Sequence, residues 1–184
     1  MERTNLPASA ALQKLKEGNL RYLGATTNAG DVSRELREQT VTKGQRPYAV
    51  IVSCADSRVI PEAIFSAGLG ELFVVRIAGN VIDDHALGSI EYAVEHLGTQ
   101  LVVVMGHTHC GAVTAALHSN SGYVKSITDE IKHAIGRETN TDKASALNAL
   151  HSADKIKKSL PLPGSVTVCG ALYHTDTGRV DFLD

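Results

Sequence analysis

"LFVVRI" (72–77), "DHALGSIEYAVEHLG" (84–98) and "LVVVM" (101–105) follow one another along the chain. The outer two are short, rich in valine and isoleucine, and apolar on both faces, the pattern of strands covered on both sides in a parallel sheet. In the middle stretch Leu87, Ile90, Val94 and Leu97 recur at helical spacing, and Gly98 is a natural stop. Strand, helix and strand in that order predict a right-handed crossover and a parallel pair.

Upstream, "YAVIVS" (48–53) is a third strand of the same kind. "ASAALQKLKEGNLRYL" (8–23) places Leu12, Leu15, Leu20 and Leu23 on one stripe and predicts an amphipathic helix; "SRELREQTV" (33–41) predicts another. Both precede the first core strand, so they are expected to pack outside the sheet or on a partner subunit. Downstream, helices are expected near 111–118, 127–135 and 143–158. "SVTVCGALYH" (165–174) reads as a strand, "TDTG" (175–178) as a turn and "RVDFL" (179–183) as an edge strand returning as a hairpin. The expected fold is α/β: a mainly parallel sheet of four to five strands flanked by helices. The expected organisation is one domain over 1–184, with an N-terminal helical arm (1–45) and an α/β core (46–184).

A chain of 184 residues is long enough for a sizeable core. With 43% hydrophobic and 21% charged residues, the composition excludes a disordered polymer. A net charge of −2 without a Lys/Arg run argues against nucleic acid or an anionic membrane as partner. No apolar stretch reaches the length of a membrane span. The N-terminal segment carries acidic residues and lacks the apolar centre of a secretory signal, so a cytoplasmic protein is expected. Three cysteines, Cys54, Cys110 and Cys169, are too few and too odd for a disulfide framework; they point to metal binding, catalysis or burial.

In open parallel sheets, ligands gather at the carboxyl ends of the strands. Just past the first strand stands "SCADSR" with Cys54, Asp56 and Arg58; just past the third stands "GHTHCG" with His107, His109 and Cys110. The two loops converge if their strands are neighbours. Thiolate plus imidazole donors suit zinc, and Cys54, one histidine and Cys110 make a Cys₂His set with the open fourth position of a catalytic site. His107 stands three residues from Cys110, a spacing that lets a tight turn aim both at one ion, which favours it over the adjacent His109. A helix starting at Gly111 would help keep the Cys110 thiolate charged. Asp56 and Arg58 are placed for an ion pair. A carboxylate there either orients an attacking water or swings in as a fourth ligand, and the arginine competes for it. Cys169 reads as core, and His109 as solvent-exposed or a proton relay. His85 beside Asp83 and Asp84 reads as a polar helix-starting turn; His118, His133, His151 and His174 read as surface.

"CADSR" and "GHTHCGA", with "LFVVRIAGNVI" and "GSIEYAVEHLG" between them and "VTVCGALYHTDTGRVDFL" at the end, resemble the β-class carbonic anhydrases. The resemblance runs from about Pro47 onward, except for the helices at 118–160. It implies Cys54, His107 and Cys110 as ligands of one Zn2+ per subunit, Asp56 and Arg58 as the catalytic pair, and carbon dioxide and bicarbonate as reactants. It also implies a homodimer or homotetramer whose N-terminal helices clasp the partner. The chain departs from plant-like members in having no glutamine in "SAGLGE" (66–71). It has no tryptophan, which a non-catalytic bicarbonate site in some bacterial members uses, and it has Ile77 in "VRIAGN". Two alternatives stand beside carbon dioxide hydration. One is hydrolysis of carbon disulfide or carbonyl sulfide on the same scaffold. The other is a non-catalytic zinc-stabilised binding module with Asp56 as permanent fourth ligand, against which Arg58 argues.

Overall fold

Five strands form one sheet in the order β2-β1-β3-β4-β5 in the computed structural model, which describes residues 5–119 and 121–183. Residues 1–4 of the expected arm, and Asp184, lie outside the described residues. The strands are β1 (Ala49–Ser53), β2 (Leu72–Arg76), β3 (Leu101–His107), β4 (Thr167–Tyr173) and β5 (Val180–Leu183). The first four are parallel, and β5 runs antiparallel to β4 through the expected hairpin. The helices are α1 (Ala8–Leu23), α2 (Arg34–Lys43), α3 (Pro61–Ile64), α4 (Asp84–Glu95), α5 (Gly111–Ala116), α6 (Val124–Ile135) and α7 (Thr141–Ser159), with a 3-10 turn at Ala78–Asn80.

The crossover around α4 joins β2 to β3, but these strands do not pair with each other. β1 lies between them, hydrogen-bonded to both. The reason lies in composition: "AVIVS" is buried at every position, whereas β2 ends in exposed Arg76 and is only half covered, so β1 takes the centre and β2 the edge. This order makes the ends of β1 and β3 adjacent.

Alternate residues of the strands supply two core layers. Ala49, Ile51, Leu101, Val103, Met105 and Ala171 face α1 and α3. Val50, Val52, Val102 and Val104 face α4 and α7, meeting Ile90, Val94, Ala149 and Ile156. Asp83 caps α4 by accepting the Ala86 N–H at 2.8 Å, which confirms the polar helix-starting turn around His85.

Helix α1 spans the expected residues but buries only the first half of the leucine stripe, Leu15 fully and Leu12 in part. Its inner face is Ala11, Leu15, Gly18 and Asn19, while Leu20 is 68% exposed. Gly18 sets this orientation, since a Cβ there would lie 2.0 Å from the Phe65 carbonyl oxygen. Asn19 locks it by donating to the carbonyls of Ile64 (3.2 Å) and Gly178 (2.9 Å) and accepting from the Val180 N–H (3.0 Å). So the inner face of α1 packs outside the sheet on its own chain's core, one of the two placements expected for it, whereas α2 buries no residue. Leu15, fully buried, is expected to cost about 2–5 kcal/mol on Leu15→Ala. Urea unfolding measures this, and a cost below about 1 kcal/mol would contradict the packing of α1.

His133 is exposed, as expected of a surface residue, while His151 is partly buried; their rings meet edge to face, centroids 5.3 Å apart, where α6 packs on α7. His174 is half-buried and bonds Asp181 at 2.9 Å. Cys169 is partly buried against the α1-side core.

Candidate metal centre

Because Ser53 and Met105 are paired across β1 and β3, the two chemically loaded loops leave the sheet side by side. Cys54, His107 and Cys110 are brought together: one ligand atom from each lies within 4.8 Å of the others, and all three residues are buried. His109 is not in this group. It is exposed and adopts a left-handed backbone, φ +55°, so its side chain parts from the cluster while its main chain makes the turn between His107 and Cys110.

The donor set passes a chemical test for a soft divalent metal. His107 is fully buried, and its Nε2 has no hydrogen-bond partner. Its Nδ1 lies 2.9 Å from the Thr108 carbonyl, so Nδ1 carries the proton and the Nε2 lone pair points into the site. A buried polar atom left unpaired is costly unless something binds it. The Cys54 sulfur accepts N–H groups from Gly79 (3.2 Å) and Asp56 (3.4 Å). A hydrogen bond from Cys110, foremost, and the N–H groups of Gly79 and Asp56 lower the Cys54 pKa to about 4 against the opposing effect of burial. The same sharing with Cys54, together with burial, pushes the Cys110 thiol up, although the N–H groups of Val113 and Ala112 at the start of α5 pull the other way. Two adjoining sulfurs thus hold one proton between them, and a dication would displace it.

Asp56 stands at the edge of the cluster, its Oδ2 3.9 Å from His107 Nε2. Arg58 grips it with both prongs, Nε to Oδ1 at 3.0 Å and Nη2 to Oδ2 at 2.8 Å, and the Arg58 N–H adds a third bond to Oδ1 at 3.0 Å. The Arg58 side chain, foremost, holds the Asp56 carboxyl well below the usual carboxylate range. Arg58 also donates to the His109 carbonyl at 3.1 Å, which ties the first loop to the second.

Three supports lay beyond sequence reasoning. Arg76 donates from the end of β2 to the carbonyls of Cys54 (3.2 Å) and Asp56 (2.7 Å), fixing the loop's main chain. A lone arginine closing an apolar strand was the available signal. Asp142 in the first turn of α7 accepts the His109 N–H at 3.0 Å. Gly79 supplies its N–H to Cys54 from a left-handed conformation, φ +67°. Nothing local in the sequence ties Asp142 or Gly79 to the site.

The sequence model of a family described as carbonic anhydrase matches residues 49–180. The carbonic anhydrase of Mycolicibacterium smegmatis is 38% identical over 94% of this chain and 91% of its own length. Carbonic anhydrase 2 of Mycobacterium tuberculosis is 38% identical over 95% of this chain and 92% of its own. Among solved structures, the β-carbonic anhydrase CafA of Aspergillus fumigatus superposes with a TM-score of 0.70 at 26% identity, covering 96% of this chain and 90% of that one. With the parallel sheet, the converging loops and the Cys-His-Cys cluster, these likenesses establish that the chain belongs to the β-carbonic anhydrase family.

Proposed function

We propose that the chain interconverts carbon dioxide and bicarbonate with one zinc ion held by Cys54 Sγ, His107 Nε2 and Cys110 Sγ, and with Asp56 and Arg58 as the catalytic pair. The observation that carries this reading is the buried three-donor cluster beside a carboxylate that an arginine holds in a two-pronged grip. Bound there, zinc would supply a Lewis acid that makes hydroxide available from water near neutral pH, the property for which carbonic anhydrase is the general worked example.

The protein's own groups do the rest. Asp56, kept ionised by Arg58, accepts the hydrogen bond of the attacking hydroxide and aims its lone pair at the substrate carbon. Arg58 holds that carboxylate back from the three donors, which would leave room among them for the attacking oxygen. Val81, Val113, Ile77 and Ala112 pack around the two cysteines. This apolar surround suits an uncharged, linear substrate and keeps bulk water from the sulfurs. Stopped-flow hydration of carbon dioxide across pH, with zinc determined on the same sample, tests the reading. A zinc-replete protein without hydration activity at any pH overturns it, and sulfide release from carbon disulfide or carbonyl sulfide on that sample would identify the other substrate class.

Cys54 and Cys110 are thiols rather than a disulfide, which suits a reducing compartment, and we place the protein in the cytoplasm. Among the described residues no helix is long and apolar enough to cross a membrane. A homodimer or homotetramer fits the surface left uncovered: Leu20 and Leu23 of α1 lie beside Phe182 on the edge strand β5, and Val41 of α2 is 85% exposed. Leu20→Glu combined with Val41→Glu is expected to lower the sedimentation coefficient toward that of a monomer without lowering the melting temperature. An unchanged coefficient would place the interface elsewhere.

A further inference from the structure

Helix α7 crosses behind the metal centre and contributes no ligand, yet it carries a fully buried carboxamide, Asn148. Asparagine is a poor choice for a helix interior, because its side chain competes for backbone partners, and burying a primary amide is costly unless its groups are used. Around it, Ala149, Ala153 and Ile156 pack as ordinary core. Asn148 does not spend its amide on its own helix. Its Nδ2 donates to the Gly79 carbonyl at 2.7 Å, far away in the sequence. Gly79 is the residue whose N–H reaches the Cys54 sulfur at 3.2 Å. Its neighbours leave no slack: a Cβ built there would fall 2.7 Å from Ile131 Cδ1 and 3.2 Å from Ala112 Cβ. Gly79 is therefore wedged on one side by α5 and α6 and held on the other by a single hydrogen bond from α7.

We propose that Asn148 is a positioning residue for the metal centre: by holding the Gly79 carbonyl it keeps the Gly79 N–H aimed at the Cys54 sulfur, and so sets how much charge that sulfur gives to the metal. This rests on the reading of Cys54, His107 and Cys110 as metal ligands. A hydrogen bond to a ligating sulfur withdraws charge from it, and partners of this outer kind commonly set metal affinity. The Asn148 contact reaches the centre from α7, a helix outside the two ligand-bearing loops.

Cobalt(II) substitution gives a readout that a merely structural role would not move, because the sulfur-to-cobalt charge-transfer band reports the sulfur's electron density. In Asn148→Ala the band is expected at lower energy than in the unaltered protein, since a sulfur relieved of its hydrogen bond gives up an electron more easily. Zinc is expected to pass to a chelator with an affinity loss of roughly 10–100-fold. Asn148→Thr keeps the volume, but its hydroxyl turns back to its own helix and falls short of Gly79; it should reproduce both changes if Asn148→Ala does not fold. An unmoved band in whichever variant folds overturns the proposal, whatever happens to the melting temperature. An unaltered protein that takes up cobalt without a thiolate band overturns the ligand reading, and this proposal with it; a normal band there and unmoved bands in the variants overturn the positioning role alone.

Discussion

Cys110→Ser is expected to lose zinc and carbon dioxide hydration together, down to the uncatalysed background, and Cys54→Ser and His107→Ala are expected to do the same. Each would remove one of the three proposed donors, and among the described residues the geometry offers no spare: His109 lies outside the cluster, and Asp56 is engaged by Arg58. His109→Ala should keep its zinc. Metal analysis after gel filtration decides the matter, and the assignment is reversed if His109→Ala empties the site while His107→Ala does not. Proton release makes the same prediction sharper. Cys54, with a pKa lowered to about 4, is already ionised at pH 7, whereas Cys110 is pushed up and holds its proton. Metal uptake by the zinc-free protein at pH 7 should therefore displace about one proton from the sulfurs, and affinity should rise with pH because the thiol is the form that must be lost. Calorimetry in buffers of different ionisation enthalpy counts that proton. Release of two would mean that neither sulfur is ionised beforehand.

What could be read from the chain, and what could not, divides along physical lines. Strands β1, β2 and β3 and helix α4 are legible because hydrophobic periodicity is a local property. The order of the strands is not local. The placement of β1 between β2 and β3 depends on which strand is apolar enough to lie at the centre, and the chain connects β2 to β3 directly. The Cys54–His107–Cys110 cluster is legible because a histidine and a cysteine three apart at the end of a strand have few other uses. The supports are not: Arg76, Asp142 and Asn148 each act through a backbone carbonyl or N–H of a distant residue, and such bonds leave no mark in the spacing. Helix α1 shows the same limit from the other side. Its leucine stripe predicts one buried face, and Leu15 and Leu12 do pack inward, but the close approach at Gly18 and the three bonds of Asn19 turn the face so that Leu20 and Leu23 lie outside it.

Arg58→Ala is expected to lower hydration activity by about 100- to 1,000-fold while zinc is held at least as tightly as before, the opposite pairing from a ligand variant. Asp56 Oδ2 already lies 3.9 Å from His107 Nε2, close to where the three donors converge, and Arg58 is what holds it back. Without the guanidinium the carboxylate keeps only the main-chain N–H of residue 58 on Oδ1, and Oδ2, released, would turn to the metal as a fourth ligand that closes the site. Loss of charge cannot account for the effect. Arg58 holds the Asp56 pKa below the ordinary range, and removing it lets that pKa rise toward the unperturbed value of about 3.9, so Asp56 stays ionised above roughly pH 5 in either protein. The sign follows: acidification from pH 8 to 6 does not protonate Asp56, and any difference between the two proteins in that window is one of position. Asp56→Asn separates the two roles of the residue. A carboxamide is a poor fourth ligand and a poor acceptor for the attacking hydroxide, so zinc should remain, the site should stay open, and the rate should still fall by about 100-fold or more. A zinc-loaded crystal structure of Arg58→Ala gives the direct answer. A carboxylate oxygen of Asp56 about 2.0–2.2 Å from the ion is expected; an Asp56 that stays where it lies in the unaltered protein would leave it the orienting role alone and remove the blocking one.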